Sequence, residues 1–372
     1  MTSSRLQRIS GPLLRSSDFG AFHETLLLTA VATVLFIRTQ LWLTNYPQIG
    51  GHGLHIAHLL WGGLFMLVAI GLCLTFLGRP LQHRAAIVGG VGFGFFIDEL
   101  GKFITSDNNY FYKPAAALIY LIFVGLFLLA RWIQNRGLLT PRESLANAIE
   151  LIGEATRHRF DERSRARAEE LLERADPNDP LVGPVRQLLA QVETIPAPPP
   201  TWAERRMTAV RAAAQRFTAQ PWFPRLLTSV FAIWALLSFL AAAELALALV
   251  LDLGGAHPGF VKDGFDNLRF VNVADITASF VAGLLVARGI VLVRRGDMPE
   301  AVRWFERALL VSILIGRVFS FYESQFGAVL GLAVDLVLLF SVRRVGERAA
   351  AQPAKPSPAV SPGPLPAPAV AG

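Results

Sequence analysis

The sequence predicts an all-α integral membrane protein: about eight transmembrane helices in two four-helix halves, joined by a cytoplasmic helical insert. Three observations predict it. The chain of 372 residues is 53% hydrophobic with 26 Phe, and its mean hydropathy is +0.44, too apolar for a soluble chain of this size. Apolar runs long enough to cross a bilayer recur along it. Arginine gathers between alternate runs, as the positive-inside rule requires.

The elements follow in order. Residues 1–20 form a basic N-terminal segment with Arg5, Arg8 and Arg15. The first half covers 21–133, with spans expected near 21–44, 55–77, 85–105 and 115–133. The first run is too long for a signal-peptide core and has no small-residue cleavage site, so it reads as an uncleaved span. The second half covers 223–345, with spans near 225–251, 273–293, 307–322 and 327–343, the last two short and tightly joined. Arg79, Arg84, Arg131, Arg294, Arg295, Arg343 and Arg344 fall on one side, against only Lys113, Lys262 and Arg269 on the other. Both termini and the insert are therefore expected in the cytoplasm, and the membrane is read as a bacterial plasma (inner) membrane.

The insert, 134–222, is polar. Thr140-Pro-Arg-Glu143 carries a capping Thr, Pro at the first helical position and Glu at the third, which predicts a helix start. Helices are expected over Asp161–Ala175 and Leu181–Glu193, separated by the breaker Asp176-Pro-Asn-Asp-Pro180. After the stiff Pro196-Ala-Pro-Pro-Pro200 linker, Trp202–Phe217 reads as a basic amphipathic helix with Arg205, Arg206, Arg211 and Arg216, suited to anionic lipid or to a solvated connector. The tail, 346–372, is Ala- and Pro-rich and is expected to be disordered. The net charge of +7 does not indicate nucleic acid, because it follows the membrane topology and no nucleic-acid motif is present. The single Cys73 excludes an intrachain disulfide.

Arg84-Ala-Ala-Ile-Val and Gly94-Phe-Phe-Ile-Asp98-Glu99 can be laid over Arg307-Ala-Leu-Leu-Val and Arg317-Val-Phe-Ser-Phe-Tyr322. That spacing suggests a parallel repeat of the halves.

The candidate site is ionisable. Charge in hydrocarbon survives in a bundle interior, paired or facing a water-filled cavity. Arg38, His55, His58, Asp98, Glu99 and Lys102 are expected in one outer layer of the first half, at about 6 Å depth for His58 and about 10 Å for the carboxylates. Glu244, Asp275, Arg317, Glu323 and the deeper Asp335 form a second-half polar cluster. Three readings compete. One is an outward-facing site that binds or passes a polar or ionic solute. A second is a metal-dependent hydrolase of a lipid or lipid-linked substrate, with Zn or Fe on His55, His58 and Asp98 and with Glu99 as general base. In the third, the charges pair and fix helix register. Outside the site, Asp107, Asn108 and Asn109 lie in an aromatic loop and His257, Asp263 and Asp266 in a larger one. A further possibility is a signalling or scaffold protein acting through its insert. The expected partners are membrane lipids and a small polar solute or ion, with no nucleic acid.

The run Gly92-Phe-Gly-Phe-Phe-Ile-Asp98-Glu99-Leu-Gly-Lys102-Phe, with Asp107-Asn-Asn-Tyr-Phe and Pro114-Ala-Ala beyond it, resembles a pattern in bacterial polytopic membrane proteins without an established activity. The resemblance covers about residues 50–130 and implies location and architecture alone. A membrane His followed by an acidic residue in the next spans is also faintly similar to the VanZ-like teicoplanin-resistance proteins.

Overall fold

The computed structural model describes residues 13–44, 58–105, 112–135, 137–157, 160–196, 199–253 and 270–351. Among them the chain is all-helical, with one isolated parallel bridge between Asp161 and Ile195 and no strand. It divides into two compact units. One comprises Met1–Thr208 with Ser320–Phe326, and the other comprises Ala209–Phe319 with Gly327–Gly372.

In the first unit, α1 (Phe19–Leu43), α2 (His58–Thr75), α3 (Arg79–Asp98), the short α4 (Leu100–Ile104) and α5 (Lys113–Gln134) form the apolar part. Helix α3 is its packing centre, with α1 and α2 against it. Small residues allow this. A Cβ on Gly92 would lie 2.7 Å from the Met66 backbone nitrogen and 2.8 Å from the Gly62 carbonyl oxygen. On α3's other face, a Cβ on Gly90 would lie 2.4 Å from the Leu26 carbonyl oxygen. The glycine run of α3 is therefore a close-packing device of the small-xxx-small kind.

The polar helices are α6 (Pro141–Gly153), α7 (Glu162–Glu173) and α8 (Val182–Gln191). The capping box expected at Thr140 and Glu143 is formed. Asp161 caps α7 through the Ser164 N–H. Leu145, Leu151, Phe160, Leu172, Val185 and Leu189 close a small core among these helices. The N-terminal segment is clamped to them. Arg15 grips Glu143 at 2.9 Å, Ser17 N–H donates to Asn147 at 2.7 Å, and Asp18 takes Arg79 at 3.1 Å and Arg167 at 2.6 Å. The Arg15 guanidinium, with N–H donors from Thr140 and Arg15, holds the Glu143 carboxyl at about 2, well below its ordinary value. Helix α9 (Trp202–Thr218) follows the proline linker.

In the second unit, α10 (Phe223–Leu253), α11 (Phe270–Arg294), α12 (Met298–Val311) and α14 (Ala328–Ala351) pack around Phe231, Phe305, Leu309 and Val342. The Phe231 and Phe305 rings stack at 4.4 Å between centroids. A π-helical turn, Ser312–Gly316, continues α12 into α13 (Arg317–Ser324), and a 3₁₀ turn at Gln325–Gly327 reverses the chain. Gln325 sits there at φ +50°, a left-handed conformation that non-glycine residues adopt at some strain.

Among the described residues, six stretches are long and apolar enough to cross a membrane: Phe19–Leu41, His58–Thr75, Pro114–Gln134, Phe223–Leu247, Val273–Arg294 and the 52-residue run Met298–Ala349. Their exposed faces carry large apolar side chains such as Leu74 and Leu330, which suits lipid. Two of the eight expected spans are thus not separate members of this set. Helix α3 falls short because glycines, Arg79, His83, Arg84 and Asp98 lower its hydropathy, and a helix packed on two sides needs no apolar surface all round. The last two expected spans fall within one continuous apolar stretch. Nor is the parallel repeat seen: α3, third in order, centres the first unit, whereas α11, second in order, packs most closely with its neighbours in the other.

Candidate functional site

The helical path breaks at Glu99. Helix α3 ends at Asp98, Glu99 sits at φ −85°, ψ 5°, and α4 resumes at Leu100. Across the break, the Lys102 N–H reaches the Glu99 carbonyl at 3.0 Å in a tight turn. The Asp98 carbonyl, which a continuous helix would have paired with that N–H, accepts instead from Arg38 Nη2 at 2.9 Å. Arg38 Nε also donates to Asp98 Oδ1 at 2.6 Å. One guanidinium thus satisfies both the side chain and the loosened backbone of a fully buried residue. The Phe326 ring lies 4.6 Å below the guanidinium carbon, a cation–π contact.

Glu99, also fully buried, turns toward α2. Its Oε1 accepts the His58 backbone N–H at 2.8 Å, satisfying a donor at the start of α2 that no turn of that helix can pair. The His58 ring nitrogen Nδ1 lies 3.4 Å from the same oxygen and Lys102 Nζ lies 3.8 Å away. Among the described residues, Glu99 Oε2 is buried with no hydrogen-bond partner. Buried carboxylate oxygens are costly to leave unpaired.

Of the expected first-half residues, Arg38, His58, Asp98, Glu99 and Lys102 therefore meet within one unit. His55, like His52, lies outside the described residues, as do Asp107, Asn108, Asn109, His257, Asp263 and Asp266. Among the described residues no group of three or more His, Cys, Asp or Glu side chains is placed to hold a metal. Asp98 takes Arg38, while Glu99 takes His58 and Lys102.

The second-half cluster comes together in part. Arg317 donates to Asp335 through Nε at 2.7 Å and Nη2 at 3.0 Å, and Ser312 Oγ adds a bond to Asp335 at 3.0 Å. The π turn brings Ser312 and Arg317 to one carboxylate, the kind of local re-aiming such turns provide. Gly331 makes the room: a Cβ there would lie 2.2 Å from Arg317 Nη1. Asp275 lies beside Gly316. Glu244 is exposed on α10 and does not join the pair. Glu323 falls in the Ser320–Phe326 segment of the other unit, with Oε1 buried and unpartnered among the described residues.

The sequence did not point to Phe326, to Ser312 or to the break itself. A Gly-rich run ending in Asp-Glu was the only available signal for the break, and it reads equally well as a close-packed continuous helix.

No known protein family, curated protein or solved structure matches this chain. The resemblances noted in the sequence therefore bring no residue role to these positions.

Proposed function

We propose that the chain is a multi-pass membrane protein that binds or passes a small polar or ionic solute at the α3–α4 break, with Glu99 as the principal contact. The observation that carries this is the unpartnered Glu99 Oε2, fully buried beside His58 and Lys102. A broken helix at membrane depth is tolerated where its freed backbone groups are buried in protein or line a cavity, and such breaks are where transporters place substrate and ion sites. Arg38 and Asp98 hold the break open in this reading, and His58 and Lys102 set the charge around the free oxygen. The reading keeps eight crossings in two four-helix halves. Helices α3 and α4 together make the third, and Met298–Ala349, at 52 residues, is long enough for two around the turn at Gln325. Arginine bias puts the N-terminal segment, the α6–α8 insert and the C-terminal tail on the cytoplasmic side of a bacterial plasma membrane.

The test is ligand-induced thermal stabilisation of the detergent-purified full chain against a panel of inorganic ions and small polar solutes. Glu99→Gln is the comparison, because the amide oxygen still accepts the His58 N–H while the charge is lost. At least one solute should stabilise the wild type and lose that effect in the variant. Identical responses across the panel would remove Glu99 from the site.

A further inference from the structure

The second unit contains a cavity of about 830 Å³ where α10 begins, α11 ends and α14 ends. Its rim carries Arg225, Arg294 and Arg348, and its wall includes Ile290, Val293 and Val345. None of its lining residues is acidic. Arg348 is already engaged: it donates to the Thr218 carbonyl and, at 2.9 Å, to the Gln215 carbonyl, capping the C-terminal end of α9. Arg225 and Arg294 are exposed and have no carboxylate partner among the described residues. The closest acidic residue along the chain, Asp297, spends an oxygen on the Glu300 N–H as the cap of α12. Residues 352–372 contain no Asp or Glu, so the tail has no side-chain carboxylate to offer. Arg225 lies in the first turn of the 31-residue helix α10 and Arg294 is the last residue of α11.

The cavity is amphipathic along its depth. From Arg225 it follows α10 past Thr228 and Ser229 to Ala232, about 10 Å along the helix, while α11 and α14 supply the apolar Ile290, Val293 and Val345. A soluble anion would use the rim and leave the wall bare. A zwitterionic lipid would use the wall and bring a phosphate, but its headgroup cation would sit against two arginines. An occupant with a negative head and an acyl chain uses both. Basic pockets between membrane helices on the arginine-rich side are where anionic headgroups are held.

We propose that this cavity is a binding site for one anionic phospholipid, its phosphate between Arg225 and Arg294 and a chain along Ile290 and Val293. The proposal is independent of the Glu99 site.

The test is native mass spectrometry of the detergent-purified full chain, titrated with phosphatidylglycerol or phosphatidylcholine. Two unpaired arginines predict a first phosphatidylglycerol bound about 30-fold more tightly than the first phosphatidylcholine. Arg225→Gln/Arg294→Gln should bring the two lipids within about threefold of each other, and Arg225→Lys/Arg294→Lys should restore most of the preference. Arg205→Gln/Arg206→Gln in α9, an equal loss of charge at residues that do not line the cavity, should keep it. Equal binding of the two lipids by the wild type overturns the proposal whatever the variants do. So does an equal loss in the α9 variant, which would mean diffuse attraction, or displacement of the lipid by millimolar inorganic phosphate, which would mean a site for a soluble anion.

Discussion

Removing Arg38 from beneath the α3–α4 break should be far more damaging than neutralising its partner. Arg38 is 14% exposed and Asp98 is fully buried, and two bonds join them, one to the carboxylate and one to the backbone carbonyl. Arg38→Met removes both bonds and takes the guanidinium from a carboxylate with no exposure, so the cost should be about 3–5 kcal/mol, as for a buried pair broken from one side. Asp98→Asn keeps the shape, keeps the bond to the backbone carbonyl and leaves the stranded charge on a partly exposed guanidinium over Phe326. The loss is then one charge-assisted bond, about 1.5–3 kcal/mol. The double variant Arg38→Met/Asp98→Leu strands no charge and should fall within about 1.5 kcal/mol of the wild type. The assay is reversible unfolding of the full chain in mixed micelles with increasing dodecyl sulfate, followed by far-UV circular dichroism. Neutral interhelical hydrogen bonds in membranes average only about 0.6 kcal/mol, so the two pictures are well separated. An Arg38→Met cost near that figure, or a double variant as unstable as the two singles combined, would refute the argument from burial.

Gly92→Leu should part α2 from α3, because the added carbon meets backbone atoms at 2.7 and 2.8 Å that no rotamer can move. A loss of about 3 kcal/mol or more in the same unfolding assay is expected, together with weaker solute protection at Glu99 as His58 is drawn away. Lowering pH should release the N-terminal clamp. The Glu143 carboxyl is held at about 2 against an ordinary 4.5, so its stabilisation is complete above 4.5 and is lost as pH falls from there toward 2. Glu143→Gln should cost about 2 kcal/mol near neutral pH and flatten stability against pH across that window, a difference read by comparing the two titrations. Gly331→Val should displace the Arg317 guanidinium from Asp335, and Ser312→Ala should leave that ion pair in place. Thermal midpoints should fall by several degrees for the first and by less than half as much for the second.

Local chemistry was legible in the chain. The capping box at Thr140 and Glu143 is written in four adjacent residues, and the start of α7 at Asp161 is set by its own side chain, so both helices begin close to where spacing places them. Apolar runs specified helices long and apolar enough to cross a bilayer, because bilayer thickness sets a length that composition either meets or misses. What only the tertiary structure decided is which charges meet. Asp98 takes Arg38, sixty residues earlier, where α3 breaks at Glu99. Spacing along a helix ranks partners only while the helix continues. Apolar length alone does not pick out the third expected span for a related reason: α3 is central and close-packed, so its sequence is glycine-rich rather than uniformly apolar. That Glu99 Oε2 and the arginines at the α10 cavity lack partners among the described residues is likewise a fact of packing, because a side chain's partners depend on what every neighbouring element brings to it.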